Sequence, residues 1–109
     1  MWPVVYLPDA RQERDKLPDR ERQTLYNAVR KLAAIGPTLP YPHSSDVRGA
    51  RSLRELRPRG GRSPWRALYR QVGGSFVIAA VCPEAKVDQR EFNAACQRAM
   101  ARLEELEEE

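Results

Sequence analysis

Residues 53–82 read LRELRPRGGRSPWRALYRQVGGSFVIAAVC, and this stretch decides the fold. Three β-prone runs, 53–57, 65–72 and 75–82, are parted by Pro58-Arg59-Gly60-Gly61 and by Gly73-Gly74. Connections this short make consecutive strands antiparallel neighbours. The third run, SFVIAAVC, is almost wholly apolar, which suits a central strand covered on both faces.

Upstream, Trp2 to Leu7 is a β-branched and aromatic run closed by Pro8, which predicts a first strand. Asp9 can cap a short charged helix from Ala10 to Leu17, stopped by Pro18. Asp19 then reads as the N-cap of a longer helix to about Ile35, with Leu25, Ala28, Val29, Leu32 and Ala33 on one face. Gly36-Pro37 stops it, and residues 38–49 read as loop, marked by Pro40 and Pro42. Downstream, residues 83–87 are a loop, and Asp88-Gln89-Arg90-Glu91 is a capping box opening a last helix. Phe92, Ala95, Cys96, Ala99, Met100, Leu103 and Leu106 form its apolar stripe. Glutamates at the negative end of that helix dipole predict a frayed tail over 104–109. The expected architecture is α+β, in the order β-α-α-β-β-β-α. A small antiparallel sheet packs with the N-terminal helices and a C-terminal helix.

A chain of 109 residues fits one domain, spanning 1–109, large enough to fold without metals or disulfides. No stretch approaches the roughly 18 apolar residues needed to cross a bilayer. The start, MWPVVYLPDARQ, has no basic n-region, so no signal peptide, a cytoplasmic location and no membrane partner are expected. Cys82 and Cys96 are too few for a disulfide framework or zinc site and sit in apolar surroundings, so they read as small buried hydrophobes. Neither a metal nor a cofactor is expected.

The net charge of +4 understates the basic character, because Glu104, Glu105, Glu107, Glu108 and Glu109 lie at the end of the chain. Without them 19 cations face 10 anions. Arg48, Arg51, Arg54, Arg57, Arg59, Arg62, Arg66 and Arg70 fall in one window, opposed there only by Glu55. Such density is an electrostatic footprint for a polyanion.

Several motifs, in order, resemble the RelE/HigB toxins of the RelE/ParE superfamily, specifically a phage-derived subgroup. Residues 32–57, LAAIGPTLPYPHSSDVRGARSLRELR, carry a helix ending in Ile-Gly-Pro, a loop with Pro42-His43, and the strand Leu53-Arg54-Glu55-Leu56-Arg57. Arg66-Ala67-Leu68-Tyr69 resembles the subgroup's Arg-x-x-Tyr, and Arg90-Glu91-Phe92 its helix opening. The resemblance covers nearly the whole chain. It implies a toxin of a type II toxin–antitoxin pair that cuts messenger RNA on the ribosome without a metal. It also implies a cognate antitoxin, often a helix-turn-helix protein.

Metal-free RNA cleavage must remove the 2′-OH proton, stabilise charge on the phosphate oxygens and neutralise the 5′ oxygen. Arginine suits the second task, since its planar fork binds phosphate in pairs of hydrogen bonds and stays charged. Arg57 ends one strand and Arg66 begins its partner, so the two are expected to converge on one phosphate as transition-state stabilisers. The alternative for both is an ion pair with Glu55. Arg54, Arg59, Arg62 and Arg70 are candidate nucleic-acid contacts, and solvated arginine is their bland reading. Tyr69 could stack on a base. By the strand's alternation, however, it lies opposite Arg66, Leu68 and Arg70, where an aromatic commonly belongs to the core. Relatives carry a His and a Lys-Lys pair after the last strand. Here Lys86 alone matches that pair, so Lys86 is the third catalytic candidate, and no histidine is near. The sole histidine, His43, reads as structural. The general base is then Lys86, Glu84, Tyr69 or a group of the ribosome.

Two other functions fit. A non-enzymatic gyrase inhibitor of ParE type, or a degenerate binding module neutralised by an antitoxin, matches the shortened segment 81–86. A DNA-binding module is the third, disfavoured because no helix carries a basic recognition face.

Overall fold

The last of the three runs, Ser75–Pro83 (β5), has seven consecutive buried residues from Phe76 to Cys82, and in the computed structural model, which describes residues 1–108, it lies inside the sheet. Trp65–Val72 (β4) pairs antiparallel to it across the Gly73-Gly74 turn. Arg54–Leu56 (β3) pairs antiparallel to β4 on the other side. These neighbours are those expected from the short turns.

Two strands, Val4–Tyr6 (β1) and Ser44–Asp46 (β2), complete a five-stranded mixed sheet of spatial order β1-β5-β4-β3-β2. β1 joins β5 in parallel, so the sheet is not purely antiparallel. β2, inside the expected loop, pairs antiparallel to β3. A polar Ser-Ser-Asp run has no strand periodicity of its own; pairing with a distant partner makes it a strand.

The first helix, α1, is Pro8–Asp15 and begins earlier than expected, with proline in its first turn, where the missing N–H costs nothing. The second, α2, is Asp19–Ile35, with Pro18 rather than Asp19 at the N-cap. The third, α3, is Gln89–Glu107, and Asp88 caps it by accepting from the Glu91 N–H at 3.0 Å. Helix α3 holds its form through Glu107, which Arg70 reaches at 3.3 Å, so the expected fraying is absent up to that point. Glu109 lies outside the described residues.

The sheet carries a core on each face. On the side of α1 and α2 lie Leu25, Leu32, Leu56, Ala67, Tyr69, Phe76 and Ile78. Under α3 lie Leu53, Leu68, Val77, Ala79, Ala80, Cys82, Ala95, Ala99 and Leu103. Ala79 and Ala80 face the same way because the β4–β5 register shifts between Leu68 and Tyr69, a bulge that skips Ala79. β1 covers β5 only as far as Leu7, whose N–H donates to the Ile78 carbonyl at 2.9 Å. Beyond that point side chains close the edge. Glu13 Oε1 accepts from the Val81 N–H at 2.9 Å, and Arg102 Nη1 donates to the Ala79 carbonyl at 2.8 Å. The two side chains also pair with each other at 3.1 Å. An exposed strand edge is thus replaced by an ion pair clamped between α1 and α3.

No described helix is long and apolar enough to cross a membrane. Cys82 is buried and Cys96 half-buried, and burial pushes both thiols up, which keeps them in the unreactive protonated form.

Candidate nucleic-acid interface

The arginine window is bent around one turn. β3 ends at Leu56, and Pro58–Gly61 forms a 3-10 turn kinked in its middle, where Arg59 and Gly60 take left-handed angles, φ 57 and 62. This displays Arg59 and Arg62 to solvent, while Arg62 Nε donates back to the Arg59 carbonyl at 3.0 Å.

Arg57, at the entrance to the turn, is held on every side. Its N–H donates to the His43 carbonyl at 2.8 Å, extending the β2–β3 ladder. Nε donates to the Pro42 carbonyl at 2.9 Å and Nη1 to Glu55 Oε1 at 3.0 Å. The guanidinium lies 5.1 Å from the ring centre of Tyr41, itself 71% exposed. Gly61, at φ +91, lies behind it, and a Cβ there would fall 2.7 Å from Nη2. Gly61→Ala is therefore expected to cost about 1–3 kcal/mol in backbone strain and displacement of the guanidinium. A urea titration measures this, and a midpoint equal to that of the parent would show that the turn tolerates the side chain.

Arg66 does meet Arg57, but on a carboxylate. Glu55 Oε1 accepts from Arg57 Nη1 at 3.0 Å and from Arg66 Nε at 3.1 Å. Arg66 Nη2 donates to Glu84 Oε2 at 2.6 Å and to the Gly61 carbonyl at 3.3 Å. Its Nη1 donates to the carbonyls of Ser63 at 2.7 Å and Trp65 at 2.8 Å. All five N–H groups have acceptors, and the side chain is 3% exposed. Arg66 has no donor left for a phosphate, which corrects the expectation of direct contact. On the α3 face of β4, it is sealed by Glu84 from the segment after β5.

Tyr69 is corrected likewise. It is 2% exposed, its hydroxyl is 2.6 Å from Ser44 Oγ, and its ring meets Phe76 edge-on at 5.7 Å. It is a core residue, not a stacking surface. Arg70, toward the far end of β4, points under α3, donating to the Arg51 carbonyl at 3.0 Å and pairing with Glu107. Arg54 pairs with Asp46 at 2.5 Å and donates to Ser44 Oγ at 3.0 Å, along the β2–β3 pair. Arg54 and Arg70 therefore stand apart from the turn. Lys86 is exposed in the turn 85–87, which is tied to the start of β4 by the Glu84 N–H donating to the Pro64 carbonyl at 2.8 Å.

Sequence reasoning missed the hollow beside Arg57. A cavity of about 190 Å³ opens between α2 and the turn, with Thr24, Asn27, Lys31, His43, Arg57 and Arg59 among its walls and Leu39 and Leu56 also lining it. Thr24, Asn27 and Lys31 follow helical spacing, but in the sequence they are indistinguishable from any solvated face. Tyr41 carried no signal beyond its place among prolines. Among the described residues, no cluster of three His, Cys, Asp or Glu side chains is placed to hold a metal ion.

The sequence profile of a family described as "Phage derived protein Gp49-like" matches residues 12–104. No curated protein matches. Among solved structures, a mutant of the E. coli toxin RelE in the free state superposes with a TM-score of 0.64 at 16% identity, over 89% of this chain and 96% of that one. At such identity the likeness speaks for the fold.

Proposed function

We propose, from the premise that this chain belongs to the Gp49-like family of phage-derived proteins and shares the fold of the toxin RelE, that it is the toxin of a toxin–antitoxin pair and acts on messenger RNA at the ribosome. The observation that carries this reading is the guanidinium of Arg57, held by Pro42 and Glu55 in the space that Gly61 leaves open, beside the exposed Arg59 and Arg62. Donors fixed before substrate arrives pay no reorganisation when charge builds on phosphate.

In this reading Arg57 stabilises the transition state, while Arg59 and Arg62 hold the flanking backbone. Arg66 is a positioning residue that fixes Glu55 and, through it, Arg57. Lys86 provides a mobile ammonium at the margin, and Arg54 and Arg70 contribute only long-range field. The site is cytoplasmic in operation, and an antitoxin, of helix-turn-helix type in the expected arrangement, covers the basic turn with acidic or apolar segments.

The decisive assay adds purified protein to a translating extract and maps cuts in the message. Arg57→Ala is expected to lower the cutting rate by roughly 100- to 1,000-fold, the usual loss for one fixed charge-stabilising donor. Undiminished cutting by a folded variant would remove Arg57 from the site. Because Arg66 is saturated, a ParE-like inhibitor without chemistry is the second reading; gyrase supercoiling inhibited by a preparation that leaves messages intact would select it.

Affinity for single-stranded RNA is expected to fall linearly in a log–log plot against salt, by about 0.7 per phosphate contact. Arg59→Ala combined with Arg62→Ala should flatten that slope by roughly 1.4. Fluorescence anisotropy at several salt concentrations tests it, and a slope unchanged in the double variant contradicts the assignment.

A further inference from the structure

We propose that the cavity between α2 and the 3-10 turn is a site for one ribonucleotide unit, in which His43 takes the 2′-hydroxyl proton. The proposal rests on the RNA-directed reading above and adds a base that the reading lacks.

Size comes first. At about 190 Å³ the cavity is smaller than the roughly 300–1,000 Å³ of sites that enclose a whole small molecule. It suits a ribose and its phosphate, with the base left outside. Charge comes next. Lys31 from α2, Arg57 from the end of β3 and Arg59 from the turn all line it, and no carboxylate does. Arg59 and Lys31 are exposed, whereas Arg57 is already oriented. The base has a surface to lie on, because Tyr41 is 71% exposed with its ring beside the Arg57 guanidinium. An exposed aromatic next to a cation is a stacking platform for single-stranded RNA.

His43 is the remaining wall. Its backbone is fixed by the bond from the Arg57 N–H to its carbonyl, and its N–H donates to the Pro40 carbonyl at 2.9 Å. Its ring faces the turn, since Cε1 lies 3.9 Å from where a Cβ on Gly60 would stand. Among the described residues no hydrogen bond engages the ring, so both nitrogens are free for a ligand. Arg57 is already paired with Glu55, and a seated phosphate offsets Lys31 and Arg59, so the imidazole can accept a proton while the cations hold the phosphate.

The step balances without a co-reactant. His43 takes the 2′ proton, the 2′ oxygen bonds to phosphorus and the bond from phosphorus to the 5′ oxygen breaks. The departing oxygen takes a proton from the Lys31 ammonium, which is restored from the imidazolium through solvent. The products are a 2′,3′-cyclic phosphate and a 5′-hydroxyl end.

The chain has one histidine, so its ring Hε1 gives an unambiguous NMR signal. Titration with adenosine 3′-monophosphate is expected to shift that signal saturably, and Arg59→Ala combined with Lys31→Ala to abolish the shift. A ring signal that does not respond overturns the site. In the translating extract, His43→Ala should cut at least about 100-fold more slowly, with 2′,3′-cyclic ends on the residual product, and added imidazole should restore part of the rate. His43→Asn is run beside it in case the alanine variant does not fold. Full cutting by either folded variant overturns the role of His43 and leaves the toxin reading intact. A wild-type protein that cuts no message overturns the catalytic step together with the reading on which it rests.

Discussion

Arg66→Ala is expected to lower the free energy of unfolding by about 3–5 kcal/mol, the range seen when one member of a buried ion pair is removed. The loss follows from what is left behind. Glu84 and Glu55 are 22% and 14% exposed, and they face each other across the space that Arg66 occupied, with Arg57 alone to oppose two charges. The carbonyls of Ser63 and Trp65 lose their donor as well. Adding Glu84→Ala should return part of the loss, because the second substitution removes one uncompensated carboxylate; that coupling is the quantity to extract from the double-mutant cycle. Urea titration provides the values. A loss below about 1 kcal/mol would mean that the network is solvated and that Arg66 is freer to meet substrate than its geometry indicates. Any activity lost in Arg66→Ala must be read against this stability change, whereas Arg57→Ala removes a half-buried side chain at the rim and gives the cleaner test of chemistry.

Glu13→Ala is expected to cost about 2–4 kcal/mol, and Glu13→Gln much less. The carboxylate satisfies the buried Val81 N–H and anchors Arg102, which in turn supplies the donor to Ala79. Alanine leaves the N–H unpaired, a loss of about 1–3 kcal/mol by itself, and releases Arg102 from its main anion. Glutamine keeps an acceptor oxygen for the N–H and loses only the charge. Thermal unfolding of the pair separates the two contributions. Equal losses in both variants would assign the effect to the ion pair alone. The alanine variant should also aggregate more readily, because it uncovers a strand edge.

The parts of the fold legible in the sequence are those specified locally. β4 and β5 were marked by apolar runs between glycine turns, α2 by its spacing, and α3 by Asp88 and Glu91, whose bond is present. What was not legible depends on residues far apart in the chain. β2 is a polar tripeptide whose strand character comes from β3, and the parallel placement of β1 comes from β5. The bulge at Ala79 has no trace in a run of apolar residues. In the site, alternation put Arg66 and Tyr69 on opposite faces, as they are. Counting could not reveal that both faces are covered there, one by Glu84 and the segment after β5, the other by Phe76 and Ser44. An arginine therefore reads the same in sequence whether it meets solvent or two carboxylates. His43 reads as structural in the sequence because its cavity needs α2 and the turn together.

The clamp between α1 and α3 sets an order of assembly. Glu13 and Arg102 are 89 positions apart, and Val4 pairs with Phe76. A nascent chain emerging N-terminus first holds β1 and α1 without their partners until β5 and α3 are made, and contacts of such separation form late. Until then one side of β4 and β5 lacks the helix that covers it. Synthesis must run through α3 before this domain can close, so a chain cut short within α3 is left as an open apolar sheet rather than as a smaller working protein.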